Sequence, residues 1–286
     1  MPHAYERPES LNEALDILSG GGWTVLSGGT DIFPLVTEAQ AWGRSGPERI
    51  LDISAVGALT GIETSEKETR IGARATWTDV IEADLPCYFS ALKAAGREVG
   101  GMQIQNRGTI AGNICNASPA ADGVPALLAL EAELEIAGRN SIRRLAIPEF
   151  ILGNRRTALG EGELVTAICI QKRSPAARSS FQKLGARRHL VISIAMVAVV
   201  LDVDDSGKIN HARVAVGSCS EVAQRLPTLE AALIGELIND ELGMLITSDA
   251  LSPLSPIGDI RADANYRMTA AHNLIRRALA DLGDSQ

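Results

Sequence analysis

Residues 25 to 32 read VLSGGTDI, and residues 108 to 122 read GTIAGNICNASPAAD. Both stretches combine glycine with small hydroxyl and amide side chains beside apolar sequence. Consecutive backbone N–H groups around Gly28 and Gly29, with the hydroxyls of Ser27 and Thr30, make a concavity suited to an anion. The second stretch offers Thr109, Gly112, Asn113 and Asn116 as neutral donors and acceptors and ends in Asp122. Neutral donors with backbone N–H groups suit a pyrophosphate, and a carboxylate suits a pair of ribose hydroxyls. A dinucleotide fits that set. A pair of ordinary turns fits it too, because Gly-Gly after a strand is commonly only a turn. Neither stretch is a Walker loop or a GxGxxG fingerprint.

The elements that must carry these loops follow from pattern. Ser10, with Glu13 three residues on, caps a helix over about 10–19, which Gly20-Gly21-Gly22 ends. WTVL (23–26) is a strand running directly into the first loop, RILDI (49–53) a second, and LTGIE and TRIGA a hairpin around SEKE. Residues 87–99 are expected to be helical and 101–119 irregular, a length that usually signals function. A helix over about 122–131, the strand AELEIA and the strand LVTAICI (164–170) follow. QKRSPAARSS (171–180) is the expected domain boundary. Beyond it come FQKL, a buried strand over 191–201, a turn at 204–207, the partner strand HARVAVGS, and helices over about 228–247 and 263–281.

Composition narrows the field. The chain has 286 residues, 45% hydrophobic and 22% charged, enough for two domains. A net charge of −8 argues against nucleic acid as a partner. No basic head with an apolar run opens the sequence, so no leader is expected, and the longest apolar run is too short for a membrane span. Cys87, Cys115, Cys169 and Cys219 form no CxxC pair, which points to reduced thiols in a cytoplasmic protein rather than cluster or zinc ligands. His3, His189, His211 and His272 are scattered and are expected at the surface or satisfied locally. Arg187-Arg188 reads as a solvated basic pair.

The two loops resemble the "GGTD" and "TxGGN…SPxxD" loops of the FAD-binding medium subunit of molybdenum hydroxylases, a family that includes the flavin subunits of xanthine and carbon monoxide dehydrogenases. The likeness spans nearly the whole chain, from Tyr5–Ala14 through QIQNRGTIAGN and FQKLGARR to Arg261–Arg267. It implies an α+β, PCMH-type (vanillyl-alcohol-oxidase-like) fold. The FAD-binding domain would cover 1–175, in subdomains of about 1–57 and 58–175. A small C-terminal domain with a three-stranded sheet would cover 176–286. Leu26 to Ile32 would wrap the pyrophosphate, with Thr109, Ala111, Gly112, Asn113 and Asn116 completing the cradle. Asp122 would bind the ribose of the adenosine half, and Leu164 and Val165 would touch the adenine side. Lys183 would lie near the flavin ring and Val99 would cover one of its faces. Asp31 could sit near the reactive edge of the flavin or merely cap its own loop. Ala111 departs from the family's glycine, and Val99 is aliphatic where some relatives are aromatic.

The function implied is that of an electron-transfer flavoprotein with non-covalent FAD and no catalytic side chain. It would take electrons from [2Fe–2S] clusters of a small subunit, served by a large molybdopterin subunit, and pass them to NAD or another acceptor in a dimer of heterotrimers. The alternatives are a stand-alone flavin oxidase of the same fold and a non-catalytic nucleotide-binding protein.

Overall fold

The computed structural model describes residues 4–283; His3 lies outside the described residues. The first sixty residues build a small parallel sheet. β1 (Ala4–Glu6), α1 (Leu11–Leu18), β2 (Thr24–Leu26), α2 (Ile32–Ala41) and β3 (Arg49–Asp52) follow one another, and the sheet order is β1-β3-β2. The Ser10 hydroxyl caps α1 by accepting from the Glu13 N–H, and Ala14, Leu15 and Leu18 face inward. The parallel pairing of β2 with β3 leaves the chain after Leu26 at the C-terminal edge of the sheet, where the first loop emerges.

A five-stranded antiparallel sheet comes next. β4 (Ile62–Thr64) and β5 (Glu68–Gly72) form the expected hairpin. The chain then runs through α3 (Trp77–Glu82), α4 (Ser90–Glu98), α5 (Met102–Gln105), α6 (Ile110–Cys115) and α7 (Gly123–Ala129). It returns as β6 (Glu133–Gly138), β7 (Ser141–Ala146), α8 (Ile147–Phe150), the short hairpin β8 (Ile151–Gly153) and β9 (Arg156–Thr157), and β10 (Leu164–Gln171). The sheet order is β4-β5-β10-β6-β7. The expected irregular stretch 101–119 therefore holds two helices, of four and six residues. Both are too short to show a helical period.

The remainder is β11 (Arg178–Leu184), β12 (Ala195–Val203), β13 (Ile209–Gly217), β14 (Gln224–Arg225), α9 (Pro227–Leu233) and α10 (Ala264–Gly283), with the four strands in sequence order. The three expected strands are β11 to β13, and the two-residue β14 adds an edge. β12 starts at 195 rather than 191. Its unbroken apolar run has a clear cause, since both faces are covered. Val197, Val199 and Leu201 join the core under α10, whereas Ala198 and Val200 join the core that contains α7. The helix expected over 228–247 ends at Leu233, because Gly235 takes φ +87° and turns the chain; a 3₁₀ turn over 240–245 follows.

Two polar knots tie the parts together. Glu131, between α7 and β6, accepts from Arg173 (2.9 Å), Arg213 (2.6 Å) and Arg225 (3.2 Å), with His211 alongside. Burial alone would raise its pKa, but the bonds from His211, Arg213 and Arg173 outweigh burial and hold the carboxyl well below the usual range. Arg267 on α10 is buried and donates to the carbonyls of Ile194 (2.6 Å) and Ser218 (3.1 Å) and to Asp259 (2.7 Å). Among the described residues no helix is long and apolar enough to cross a membrane.

Candidate functional site

The first loop is the bend between β2 and α2. Gly29 takes φ +78°, and a Cβ there would meet the Phe33 ring at 2.4 Å. Gly28 is constrained from outside its own loop. A Cβ on it would lie 1.8 Å from the carbonyl oxygen of Arg107 and 3.2 Å from Gly108 Cα. Glycine is thus needed here because two backbones touch. Among the described residues, the N–H groups of Gly28, Gly29, Thr30 and Asp31 donate to no carbonyl or side chain. Four successive free donors in a bend form an anion-binding concavity.

The second loop is held from below. The Gly108 carbonyl accepts from the Trp77 N–H (3.0 Å), and the Ile110 N–H donates to the Ala75 carbonyl (3.0 Å). Thr109 caps α6, its hydroxyl accepting from the Gly112 N–H at 3.2 Å. Across the gap, the Asn116 amide donates to Asp31 Oδ1 at 3.0 Å. The two loops, some eighty residues apart in sequence, are therefore joined by a backbone contact at one end and a side-chain bond at the other.

Between them lies a cavity of about 450 Å³. The expected residues Ser27, Gly28, Gly29, Thr30, Asp31 and Ile32 form one wall. Thr109, Ala111, Gly112, Asn113 and Asn116 form another, with Leu164, Val165 and Val99 at the sides. Ala111 sits in α6 with its methyl in the core, so the departure from glycine introduces no clash. Two buried atoms of the wall, Ser27 Oγ and Asn113 Oδ1, have no hydrogen-bond partner. Burial raises the Asp31 carboxyl above its ordinary value, opposed by the Arg155 charge and a bond from Thr30. Asp31 stands at the N-cap position of α2 but makes no capping bond. Burial also pushes the Cys115 thiol, another wall group, up to about 12.

Three expected residues stand apart from the wall. Leu26 is buried beneath Gly29 at the end of β2. Asp122 and Lys183 bind each other: Lys183 Nζ donates to Asp122 Oδ2 at 2.7 Å and to the Glu98 carbonyl at 3.3 Å, beside Val99. Ser193 Oγ donates to the other oxygen of Asp122 at 2.5 Å. The carboxylate expected to meet a ribose thus has both oxygens engaged within the protein. Its pKa is raised by burial in spite of Lys183. Arg187 and Arg188 are exposed, and Arg187 donates to the Leu190 carbonyl. Sequence reading missed Trp77, Ile53, Ala73 and Ile104, which supply apolar wall. Trp77 lies outside the recognised stretches, whereas Ile53 ends the strand RILDI, Ala73 ends the strand TRIGA and Ile104 falls inside QIQNRGTIAGN, none of which signals a place in the apolar wall.

The wall suits a dinucleotide. It carries free backbone N–H groups, unpartnered Ser27 and Asn113 oxygens, no lysine or arginine, and broad apolar flanks. Residues 1–171 match the family model for the FAD binding domain in molybdopterin dehydrogenase, and residues 180–282 match the CO dehydrogenase flavoprotein C-terminal domain. The chain is 29% identical to the nicotine 6-hydroxylase medium subunit of Paenarthrobacter nicotinovorans, covering 98% of this chain and 96% of that one. It is 30% identical to the glyceraldehyde dehydrogenase medium chain of Sulfolobus acidocaldarius, covering 98% of each. In structure it resembles a chain of reconstituted CO dehydrogenase from Oligotropha carboxidovorans, with a TM-score of 0.89 at 26% identity over the full length of both. The chain belongs to the FAD-binding medium subunits of the molybdenum hydroxylase family, an oxidoreductase component of multi-subunit complexes.

Proposed function

We propose that this chain is the electron-transfer member of its complex. It holds one FAD non-covalently, receives electrons from [2Fe–2S] clusters on a small partner subunit served by a large molybdopterin subunit, and passes them to NAD or another acceptor. The assembly is a dimer of heterotrimers in the cytoplasm. The observation that carries the reading is the run of free N–H groups at Gly28 to Asp31 facing the unpartnered Asn113 oxygen across one cavity.

When bound, FAD supplies the capacity to take up and release one or two electrons. The chain's own residues bind and orient. The N–H groups of 28–31 would donate hydrogen bonds to the pyrophosphate oxygens, and Ser27 and Asn113 would take ribose or ribityl hydroxyls of the dinucleotide. Leu164 and Val165 would flank the adenine, and Val99 would cover the ring. Lys183 and Asp122 would close the ring end as an ion pair next to Val99. No side chain acts as acid, base or nucleophile. Relatives serve complexes named for nicotine, glyceraldehyde and carbon monoxide, which supports substrate recognition on another subunit. The same reading divides the chain near 175. The three-stranded and five-stranded sheets and the β8–β9 pair lie before that point and the four-stranded sheet after it.

The purified chain loaded with FAD should reduce a dye at the expense of NADH or a chemical reductant. It should not oxidise an N-heterocycle or aldehyde until the partner subunits are added. Substrate-dependent dye reduction by this chain alone would overturn the relay and favour a stand-alone oxidase.

A further inference from the structure

Outside the cavity wall, one side chain reaches the bond that joins the two loops. Arg155 stands at the tip of the β8–β9 hairpin, and its Nη1 donates to Asn116 Oδ1 at 3.0 Å. The other half of the same amide, Nδ2, donates to Asp31 Oδ1 at 3.0 Å. An asparagine amide has one accepting and one donating end. Asp31 demands the donor and Arg155 demands the acceptor, so together they fix which way the amide points. Without the arginine, a flipped amide would set oxygen against the Asp31 carboxylate.

The hairpin tip is built for this contact. The Arg155 N–H donates to the Ala117 carbonyl at 2.9 Å. Arg155 (φ +55°) and Ala117 (φ +46°) both occupy the left-handed region that residues with a Cβ avoid. The tip is held from behind by Asn154, whose N–H donates to Glu221 Oε1 at 3.3 Å. Strained backbone on both sides of one hydrogen bond, anchored from a third segment, marks a position the fold maintains.

We infer that Arg155 is a positioning residue of the flavin site: through Asn116 it locks the second cofactor loop onto Asp31 of the first. The inference rests on the reading of this cavity as the FAD site. Arg155 is not itself part of the wall; its one bond to the wall is the one to Asn116, through which it sets the spacing of the two loops before FAD arrives.

The test is titration of the flavin-free full chain with FAD, followed by flavin fluorescence, with thermal melting of the flavin-free form alongside. Arg155→Met should raise the Kd for FAD roughly five- to tenfold, the value of about one ordinary intramolecular hydrogen bond. Arg155→Lys, which keeps a cationic donor, should restore most of that loss. Arg155→Met combined with Asn116→Ala should bind FAD little more weakly than Asn116→Ala alone, because the arginine's hydrogen bond to the site is to that amide. Flavin-free melting should fall by no more than the loss of one hydrogen bond, so that weaker binding does not reflect unfolding. Parent-like affinity in Arg155→Met, or fully additive losses in the double variant, would overturn the role of Arg155. Gly28→Val serves as the separate control on the site itself. Parent-like affinity there would refute the FAD cavity and this inference with it, whereas loss of FAD in Gly28→Val beside normal binding in Arg155→Met would remove Arg155 alone.

Discussion

Gly28 is where the site should break most cleanly. A β-carbon added there would sit 1.8 Å from the Arg107 carbonyl oxygen and 2.6 Å from its carbon. Ordinary contact begins near 3.4 Å, so the loops would have to separate by 3.4 − 1.8 = 1.6 Å. The obstacle is backbone, and its neighbour Gly108 is tied to Trp77 at 3.0 Å, so rotamer change offers no escape. A separation of that size also stretches the 3.0 Å bond between Asn116 and Asp31 beyond hydrogen-bond range. Overpacking of this kind costs about 1–3 kcal/mol. Because the flavin-free loops can part while the FAD-bound loops cannot, most of that cost should appear in binding. Gly28→Ala should therefore weaken FAD by roughly 5- to 150-fold, since about 1.4 kcal/mol is tenfold. Flavin fluorescence titration reads the Kd, and circular dichroism should show the parent fold, since the residue lies in a loop. FAD affinity within about twofold of the parent would refute the claim that contact between the two backbones shapes the site.

Other consequences can be checked separately. Acid precipitation of the loaded protein should release FAD into the supernatant; FMN there, or flavin that stays with the chain, contradicts the non-covalent dinucleotide. At pH 8, iodoacetamide should label exposed Cys87 and spare Cys115, whose thiol is pushed up to about 12, in mass-spectrometric mapping of the folded chain. Glu131→Gln should lower stability by about 1–2 kcal/mol at neutral pH, discounted because the side chain is 36% exposed. The folded-state pKa of Glu131 is depressed, so its contribution is present above the ordinary value of 4.5 and lost as pH falls below it. Denaturant melts of the variant should accordingly lose less stability than the parent between neutral pH and pH 3. Arg267→Met leaves the Ile194 and Ser218 carbonyls without a donor, and should cost about 3 kcal/mol in chemical denaturation.

Much of this was legible in the sequence where the signal is local. The Ser10 cap, the strand that delivers the first loop and the two glycine-bearing motifs depend on neighbouring residues, and they appear where the sequence places them. Three kinds of feature were not legible. Helices α5 and α6 are shorter than the window in which a 3.6-residue period shows, so their segment read as irregular. Helix α2 buries no residue, so its apolar side chains give no one-sided pattern. The pairing of Lys183 with Asp122 spans 61 residues and depends on how β11 meets the start of α7. Family likeness assigned each of the two to the cofactor but carried no sign that they bind each other. Trp77, wholly buried beneath the second loop, is invisible for the same reason: its role is set by tertiary packing.

Helix α7 has every residue from Gly123 to Ala129 buried, and it packs against β12 and β13 as well as α4 and α6. It begins at Asp122, the residue that ends the second cofactor motif. During synthesis, the segment that carries the motif leaves the ribosome long before the strands that cover it. Until residues near 217 have emerged, α7 has no complete sheet to lie on, and Asp122, at the far end of the motif, gains its partners Lys183 and Ser193 only when β11 and the start of β12 are made. The surroundings of the second cofactor motif are thus complete only once β12 and β13 are made. A nascent or prematurely terminated product would expose an apolar helix and an unset loop together, so the same surface that completes the site would flag the incomplete molecule to chaperones and proteases.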